Sequence, residues 1–554
     1  MRGYVALSWI EGDVAASRAA EDVLRSALDQ GYESRASGPN WWVASKGPRA
    51  PGCFSPKPQI LVVGEVFLHP ENSRGAVEGS SEAEFAAAYA RNRWGRYVVL
   101  FLGEDGAIRS VFRDPSGALP AHAWCARGLQ VVASDTPDWL AVAVRPPVDL
   151  DWDRVRQLVE APFELGAPWP LKGLQSVAPG ELRVLGSSSE QVWSAEAIAA
   201  SDPLSAADSR RMLRQRLDVC VGALAGRRET GIEISGGLDS AIVAAAAAEV
   251  RVPVKLALNL RAGETETDER RFARHVAERW GLPLQERRRR DRAWTAEAFE
   301  ATAGDPLPSQ NGRDLANDAA VAQACREAGV EVLLTGKGGD ALFFQAHTPF
   351  AFADLWWDRP LRAPFSRQLP GVARWTRTST WSLLRTAIRS RLEGRCDGDL
   401  PPGKRLHLAA LQSGIAYYSA CRRGDVVDLA HPLMAQPLVE WALRTPIPTL
   451  VPAGRERGLA REVFTDRLPA SVASRRGKGD YAGCFNRLAA RNLPFLRDYL
   501  LGGRLAAEGV IDRGAMELRL QPETLCWRGG AAEILAAVSV EAWVRRWEAR
   551  RQGA

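Results

Sequence analysis

The chain has 554 residues, 46% of them hydrophobic and 25% charged, with a formal net charge of +6. Such a length predicts two or more domains, each with its own core, and the proportions are those of a soluble globular protein. No apolar run approaches the roughly 20 residues that cross a bilayer, and acidic residues follow the start (MRGYVALSWIEGD) too early for a secretory signal, so a cytoplasmic protein with no membrane partner is expected.

The modest positive charge permits an anionic ligand without demanding nucleic acid, and no nucleic-acid partner is expected. Eight cysteines (Cys53, Cys125, Cys220, Cys325, Cys396, Cys421, Cys484 and Cys526) are scattered, with no C-x-x-C pair and no histidine near enough for a zinc site. They read as mostly buried apolar thiols.

In chain order, residues 1 to about 195 read as β-rich, with short strands such as Ile60–Val63 and Tyr97–Phe101 between Gly/Pro turns. A Ser/Ala/Asp/Pro segment over 183–209 reads as the linker to a second domain. Helix 207–225 then carries Leu213, Leu217, Val221 and Leu224 at helical spacing. A strand through Ile232, helix 241–250, strand 254–260 and helix 268–280 follow. The run Arg287–Arg290 with Arg292 reads either as a guide for a phosphate or acidic peptide, or as a solvated loop. Helix 315–328 and strand 330–334 complete the alternation. Residues 355–465 read as mostly helical, and 531–551 as an amphipathic helix. The expected fold is α/β, with domains over 1–195 and 205–554 and a parallel sheet covered by helices on both faces in the second.

Gly231-Ile232-Glu233-Ile234-Ser235-Gly236-Gly237-Leu238-Asp239-Ser240 reads as strand, glycine turn, helix start. That geometry binds phosphate: backbone N–H groups and the helix dipole face the anion, and bare glycines let it approach. No Gly-Lys-Ser/Thr follows, so this is not a Walker A loop. The string SGGLDS resembles the pyrophosphate loop of ATP pyrophosphatases, which split ATP into AMP and pyrophosphate. A second glycine turn, Thr335-Gly336-Lys337-Gly338-Gly339-Asp340, follows strand 330–334. Ligands of a doubly wound sheet gather at the carboxyl ends of its strands, so both loops should open onto one crevice. Asp239 and Asp340 would then serve as Mg2+ ligands, directly or through water.

Taken together, these strings resemble the asparagine synthetase family. LLTGKGGDALF is similar to its second signature. His431-Pro432-Leu433 with Leu438-Val439-Glu440 resembles its P-L-x-x-x-x-L-V-E segment, and Asp268-Glu269 with Phe272-Ala273 the segment after the second strand. Arg475-Arg476-Gly477-Lys478-Gly479 resembles its late basic motif, which implies that Lys478 stabilises charge on the acyl-adenylate and pyrophosphate. By the same resemblance ATP phosphates lie over Ser235, Gly236, Gly237 and Ser240, and the adenine near Ile234, Leu258 and Gly336. Arg113-Asp114-Pro115-Ser116-Gly117-Ala118-Leu119-Pro120 resembles a string of the family's glutamine amidohydrolase domain, an Ntn-type αββα fold. That chemistry needs a cysteine at the mature N-terminus. Here position 2 is Arg2 and the nearest cysteine is Cys53, so the domain is expected to be catalytically dead.

The nitrogen must then come from an amine on the substrate. Two branches of the family fit. A lasso peptide cyclase adenylates an Asp or Glu side chain of a leader-free core peptide, closes a macrolactam with the N-terminal amine, and usually has a leader peptidase partner. A β-lactam synthetase closes a small ring, with a Tyr in the slot held here by Lys337. RDPSGALP and the absent Tyr favour the cyclase. Lys337 departs from the Glu usual in asparagine synthetases as well, and reads either as a contact for phosphate or carboxylate or as a surface lysine. Trp356, Trp357, Tyr417 and Tyr418 are candidates to line the acceptor pocket or to pack the core. A non-catalytic synthetase-like binding protein and an ATP-dependent tRNA-modifying enzyme are the readings from other classes.

Overall fold

The structure, a computed structural model, describes residues 3–47, 51–72, 77–162, 164–166, 168–261, 269–289, 293–393, 400–475 and 482–552. The N-terminal part is built on two six-stranded antiparallel sheets. In the first, Gly3–Trp9 lies between Leu129–Ala133 and Trp41–Lys46. In the second, Arg93–Leu102 lies between Ile60–Leu68 and Ile108–Arg113.

Period-two alternation puts apolar side chains on both faces of each sheet. Tyr4 and Ala6 point into a core shared with Leu61, Val63, Val98, Leu100 and Val111 of the second sheet. Val5 and Leu7 face the other way, onto helix Val14–Asp29 through Ala16, Ala19 and Val23. Likewise Val62, Tyr97, Val99 and Phe112 pack under helix Glu82–Asn92 against Phe85 and Tyr89. The layers are therefore helix, sheet, sheet, helix, the αββα order expected.

The expected linker is more structured than its composition suggests. Glu181–Val184 and Ser189–Gln191 form a hairpin at the edge of the second sheet, and Ala195–Ala199 is a helix capped by Ser194. Only the stretch around 200–205 is irregular before helix Ala206–Ala225, where Ser205 accepts from Asp208 N.

The second part holds a five-stranded sheet in the order Leu284–Arg288, Val254–Arg261, Thr230–Glu233, Val332–Leu334, Asp428–Ala430, with every pairing parallel. Ile232, Ala257 and Leu334 face helices Ala206–Ala225 and Leu238–Glu249. Leu256, Leu258 and Leu333 face helix Leu315–Ala328 through Val321, Ala324 and Cys325. The sheet is thus covered on both faces, and the region from 350 to 465 is largely helical as expected.

The tail helix, Ala531–Gln552, departs from the amphipathic reading: every residue from Ile534 to Val544 is buried. It is enclosed by helices from both parts of the chain in one cluster that runs from Val5 and Val155 to Leu496 and Trp543. Its Glu541, wholly buried, accepts from the N–H groups of Arg504 (2.8 Å) and Leu505 (2.9 Å) and from Arg545 (2.6 Å). A buried carboxylate with three donors is tolerable where a bare one is not.

A buried ion network fastens the sandwich to the parallel sheet. Arg96 lies on a central strand of the second antiparallel sheet, and Asp428 opens the edge strand of the parallel one. The guanidinium meets Asp428 at 3.0 and 3.1 Å and also pairs with Glu65, while Arg228 holds Asp428 from the other side. Nearby, Glu440 accepts from His69 (3.1 Å), Trp193 (2.9 Å) and Gln436 (2.9 Å). Removing Arg96 would leave Glu65 and Asp428 with less compensation in a water-poor interface. Arg96→Ala is therefore expected to lower unfolding free energy by about 3–5 kcal/mol, read from denaturant titration; a loss below about 1 kcal/mol would mean that water reaches the network.

Candidate active site

The site forms where the central strands of the parallel sheet end. Ile234 N donates to Leu258 O at 2.8 Å, and the buried Asn259 amide donates to Ile234 O at 2.7 Å, which locks two neighbouring strand ends together. The chain then turns at Gly236, with φ of +82°; a Cβ there would sit 2.7 Å from Glu269 O. Helix Leu238–Glu249 begins at once, and its N-cap, Gly237, offers no capping side chain. Its first N–H groups therefore face the crevice as an anion-binding helix start. The hydroxyls of Ser235 and Ser240 lie 3.1 Å apart across the loop. They bond each other and the loop backbone, and are placed to exchange those bonds for phosphate oxygens.

The second loop leaves strand Val332–Leu334 and touches the first through backbone. A Cβ on Gly336 would lie 2.6 Å from Ser240 N, and one on Gly339 would lie 2.4 Å from Asp239 Cγ. Only glycine permits this approach. The turn is held from below: the His431 ring donates from Nε2 to the Tyr417 carbonyl at 3.1 Å, so its Nδ1 accepts from Thr335 Oγ1 at 2.7 Å. Burial keeps this ring neutral, well below its ordinary pKa, which fixes that tautomer.

Asp239 and Asp340 converge as the sequence implied. Asp239 is buried, whereas the Asp340 side chain is half exposed. One nitrogen of Arg457 reaches both, at 3.0 Å from Asp239 Oδ2 and 2.9 Å from Asp340 Oδ1. A single cation thus already bridges the two carboxylates. Among the described residues no group of three His, Cys, Asp or Glu side chains could hold a metal alone. Two carboxylates fit Mg2+ only when phosphate oxygens complete its shell, the usual arrangement for that ion.

Beside the loops lies a cleft of about 320 Å3 whose apolar wall is made by Ile234, Leu258, Leu260, Val321 and Phe485. Nine of its fourteen lining residues are polar, among them Ser235, Glu233, Arg289, Asp318, Lys337 and Arg423. An apolar wall facing a densely polar one suits a small ligand with both an apolar face and hydrogen-bonding edges. Ile234, Ser235 and Leu258 all line this cleft. Gly336 packs against the first glycine loop at Ser240 and is not among the residues that line the cleft.

Lys337 is no surface lysine. Its ammonium donates to Asn311 Oδ1 and sits 5.7 Å over the Tyr417 ring. Arg423 shares the same amide oxygen at 2.7 Å and pairs with Glu233 and Asp318, each at 3.2 Å. Burial, then the Arg423 charge, push the Lys337 pKa down to about 8. Tyr417 lies beneath Lys337, and Tyr417 and Tyr418 line a cavity between the two parts of the chain with Asp135 and Asp305. Trp356 packs against the core of the second part.

Of the basic run, Arg289 is buried on the cleft and pairs with Asp314 at 2.6 Å, and Arg287 pairs with Glu327. This part of the run is therefore neither a solvated loop nor a free charge; Arg290 and Arg292 lie outside the described residues. Lys478 and Asp268 also lie outside them. Arg475, three residues before Lys478, donates to Gly236 O at 3.3 Å, pairs with Glu269 and covers the Phe272 ring at 4.2 Å. Arg457 and Arg475 are the site residues to which the sequence reading gave no role. Arg457 heads a short helix in a left-handed conformation (φ 50°), and no local pattern marks it.

In the N-terminal sandwich, the Arg113–Pro120 string is a structural turn. Arg113 donates to the carbonyls of Leu119 (3.1 Å) and Val177 (2.9 Å), and Asp114 accepts from Tyr97 N at 3.2 Å and Ser116 N at 2.8 Å. Position 2 is outside the described residues. Cys53 is half-buried, and burial pushes its thiol up to about 11, so it holds little nucleophilic thiolate near neutral pH.

Residues 212–545 match the family model described as asparagine synthase. No curated protein matches the chain significantly. Two solved structures align loosely. One is the allosteric regulatory enzyme of purine biosynthesis, at 12% identity over 60% of this chain and 89% of that one, with a TM-score of 0.20. The other is glutamine phosphoribosylpyrophosphate amidotransferase from B. subtilis complexed with ADP and GMP, at 14% identity over 60% of this chain and 81% of that one, also at 0.20. Superpositions this loose do not define a common fold, and the αββα order above rests on the sheets themselves.

Two measurements test the site. Gly336→Ala forces its methyl against Ser240 N and should weaken ATP binding at least tenfold, about 1.4 kcal/mol, by titration calorimetry; an unchanged affinity would show that the loops need not touch. Lys337 is protonated in the unfolded chain up to its ordinary 10.5 but in the fold only to about 8. The unfolded state binds the extra proton between those values, so stability should rise with pH across that window. Lys337→Met should remove that rise, and an unaltered slope would place the ammonium in water.

Proposed function

Because the chain belongs to the asparagine synthase family, whose members are ATP-dependent amide-forming ligases that release AMP and pyrophosphate, we propose that it is a lasso peptide cyclase: it adenylates an Asp or Glu side chain of a leader-free core peptide and closes a macrolactam with the peptide's own N-terminal amine. The observation that carries ligase chemistry is the convergence of Asp239 and Asp340 on one point across two touching glycine loops. The αββα part supports an intramolecular amine as nitrogen source. It offers no activated thiol among the described residues: burial raises the pKa of both Cys53 and Cys125.

In this reading ATP lies in the Ile234–Leu258 cleft with its phosphates over Ser235–Ser240. Asp239 and Asp340 would hold Mg2+, which when bound draws charge from the phosphates. The helix start at Leu238 and the Ser235 and Ser240 hydroxyls orient the triphosphate, so that the substrate carboxylate attacks the α-phosphorus in line and pyrophosphate leaves. Arg457 is displaced from its carboxylates toward the phosphates. Lys478, by its place in the late basic motif, offsets charge on the leaving pyrophosphate. The peptide amine then attacks the adenylate carbonyl and AMP departs. Folding the peptide beforehand makes this attack intramolecular, worth several kcal/mol of barrier. Lys337 in place of a tyrosine speaks for the peptide over a β-lactam-forming small amino acid.

Mass spectrometry on the protein with Mg2+-ATP and a leader-free core peptide tests this. A product lighter by one water, formed with equal AMP and pyrophosphate, is expected; Asp239→Ala should reduce it by at least a thousandfold, about 4 kcal/mol. AMP without dehydrated peptide would reject the peptide substrate while keeping the ligase, and small β-amino acids would then be tried. Failure to form AMP with any acid, with or without an added leader peptidase, would reject the ligase reading.

A further inference from the structure

The segment 355–393 carries eight arginines against two carboxylates, a net charge equal to the +6 of the entire chain. Its helices Phe350–Asp358, Gln368–Thr376 and Thr380–Glu393 pack together as one lobe. Arg362, Arg367, Arg374, Arg377 and Arg385 are exposed, and among the described residues no carboxylate pairs with any of them.

The lobe also exposes large apolar side chains that a free surface rarely leaves bare. Leu361 is 88% exposed, Phe365 89%, Trp381 73% and Leu392 72%. Their placement is ordered. On helix Thr380–Glu393, Leu383 and Ala387 point inward and are buried. Trp381, Ile388 and Leu392, at spacings of seven and four, form one outward stripe. Arg385 and Arg389 border that stripe. Leu361 and Phe365 lie four residues apart around the short turn Ala363–Phe365, whose Ala363 is buried, so they share its outer side.

We propose that this lobe docks the enzyme on an anionic membrane surface, with Trp381, Leu392, Phe365 and Leu361 entering the headgroup–acyl boundary and the arginines gripping lipid phosphates. Helices that lie in an interface combine these features: a basic polar face, and Trp, Phe and Leu on the other. The guanidinium fork matches phosphate geometry, and indole favours the boundary. An acidic protein is the other occupant that the charge would suit. Near-complete exposure of four large side chains favours lipid, because a fluid bilayer accepts separate protruding groups without a matched socket. Among the described residues no helix is long and apolar enough to cross a membrane; the expectation of no membrane partner rested on that same absence, and it does not bear on contact with a surface.

Co-sedimentation of the full chain with phosphatidylcholine–phosphatidylglycerol vesicles, against pure phosphatidylcholine vesicles, decides the matter. Binding to the anionic vesicles alone, weakening with salt, is expected. Trp381→Ser with Leu392→Ser should lower partitioning at least tenfold, and Arg362→Ala, Arg374→Ala and Arg385→Ala about fivefold each. All these positions are exposed, so the thermal transition and AMP release in solution should be unchanged; a shifted transition moves the test to Phe365→Ser. Equal binding to both vesicle types, no binding, or binding untouched by the variants overturns the proposal. Retention on polyglutamate without vesicle binding would assign the face to an acidic polypeptide instead.

Discussion

The backbone contact between two glycine loops is the constraint on which the site depends. Gly336 and Gly339 press against Ser240 N and Asp239 Cγ at distances that no side chain survives. Adjacent parallel strands, Thr230–Glu233 and Val332–Leu334, deliver both loops to the same edge of the sheet. Each loop brings one aspartate, and the contact brings the two within reach of one guanidinium nitrogen. Arg457, a cation from a helix more than a hundred residues further on, pairs with both and offsets their mutual repulsion. The fold therefore holds the two carboxylates and their guanidinium in place, which preorganises the crevice for a charged ligand.

A second theme is charge buried in networks rather than pairs. Arg423 holds Glu233, Asp318 and Asn311, and through Asn311 it fixes Lys337 at the cleft. Arg96 and Arg228 share Asp428 between the two parts of the chain. Networks of this kind cost desolvation, and removing one member strands the others. Their return is positional: they hold a reactive edge in register with a separate sandwich. In that sandwich the turn at Arg113–Pro120 is held by Arg113 bonds to the carbonyls of Leu119 and Val177.

What could be read from sequence was local. Ser235–Ser240 and Thr335–Asp340 announce themselves because glycine, aspartate and helix start must lie side by side in the chain. Leu213, Leu217, Val221 and Leu224 reveal their helix by spacing. The rest depended on partners distant in sequence. Arg457 reaches the loops from afar with no pattern to mark it, and Arg475, though inside the late basic motif, carried no sign of its bonds to Gly236 and Glu269. The tail helix read as amphipathic, but a pattern cannot show that the N–H groups of Arg504 and Leu505 meet the Glu541 carboxylate in the core. The polar stretch over 183–209 read as linker, although an exposed edge hairpin needs little hydrophobic residue content. For Lys337 the sequence left a ligand contact and a surface lysine both open; its burial against Asn311 and Tyr417 depends on residues distant in the chain.

The central claim is that the chain activates a carboxylate as an adenylate and closes it with an amine of the same molecule. Oxygen-18 placed in the side-chain carboxylate of a leader-free core peptide tests this most directly. Attack on the α-phosphorus moves one labelled oxygen into AMP and leaves the other in the cyclic amide. Label in AMP at one atom per ring closed is the predicted result. Label in inorganic phosphate with ADP as co-product, or unlabelled AMP beside cyclic peptide, would contradict the account.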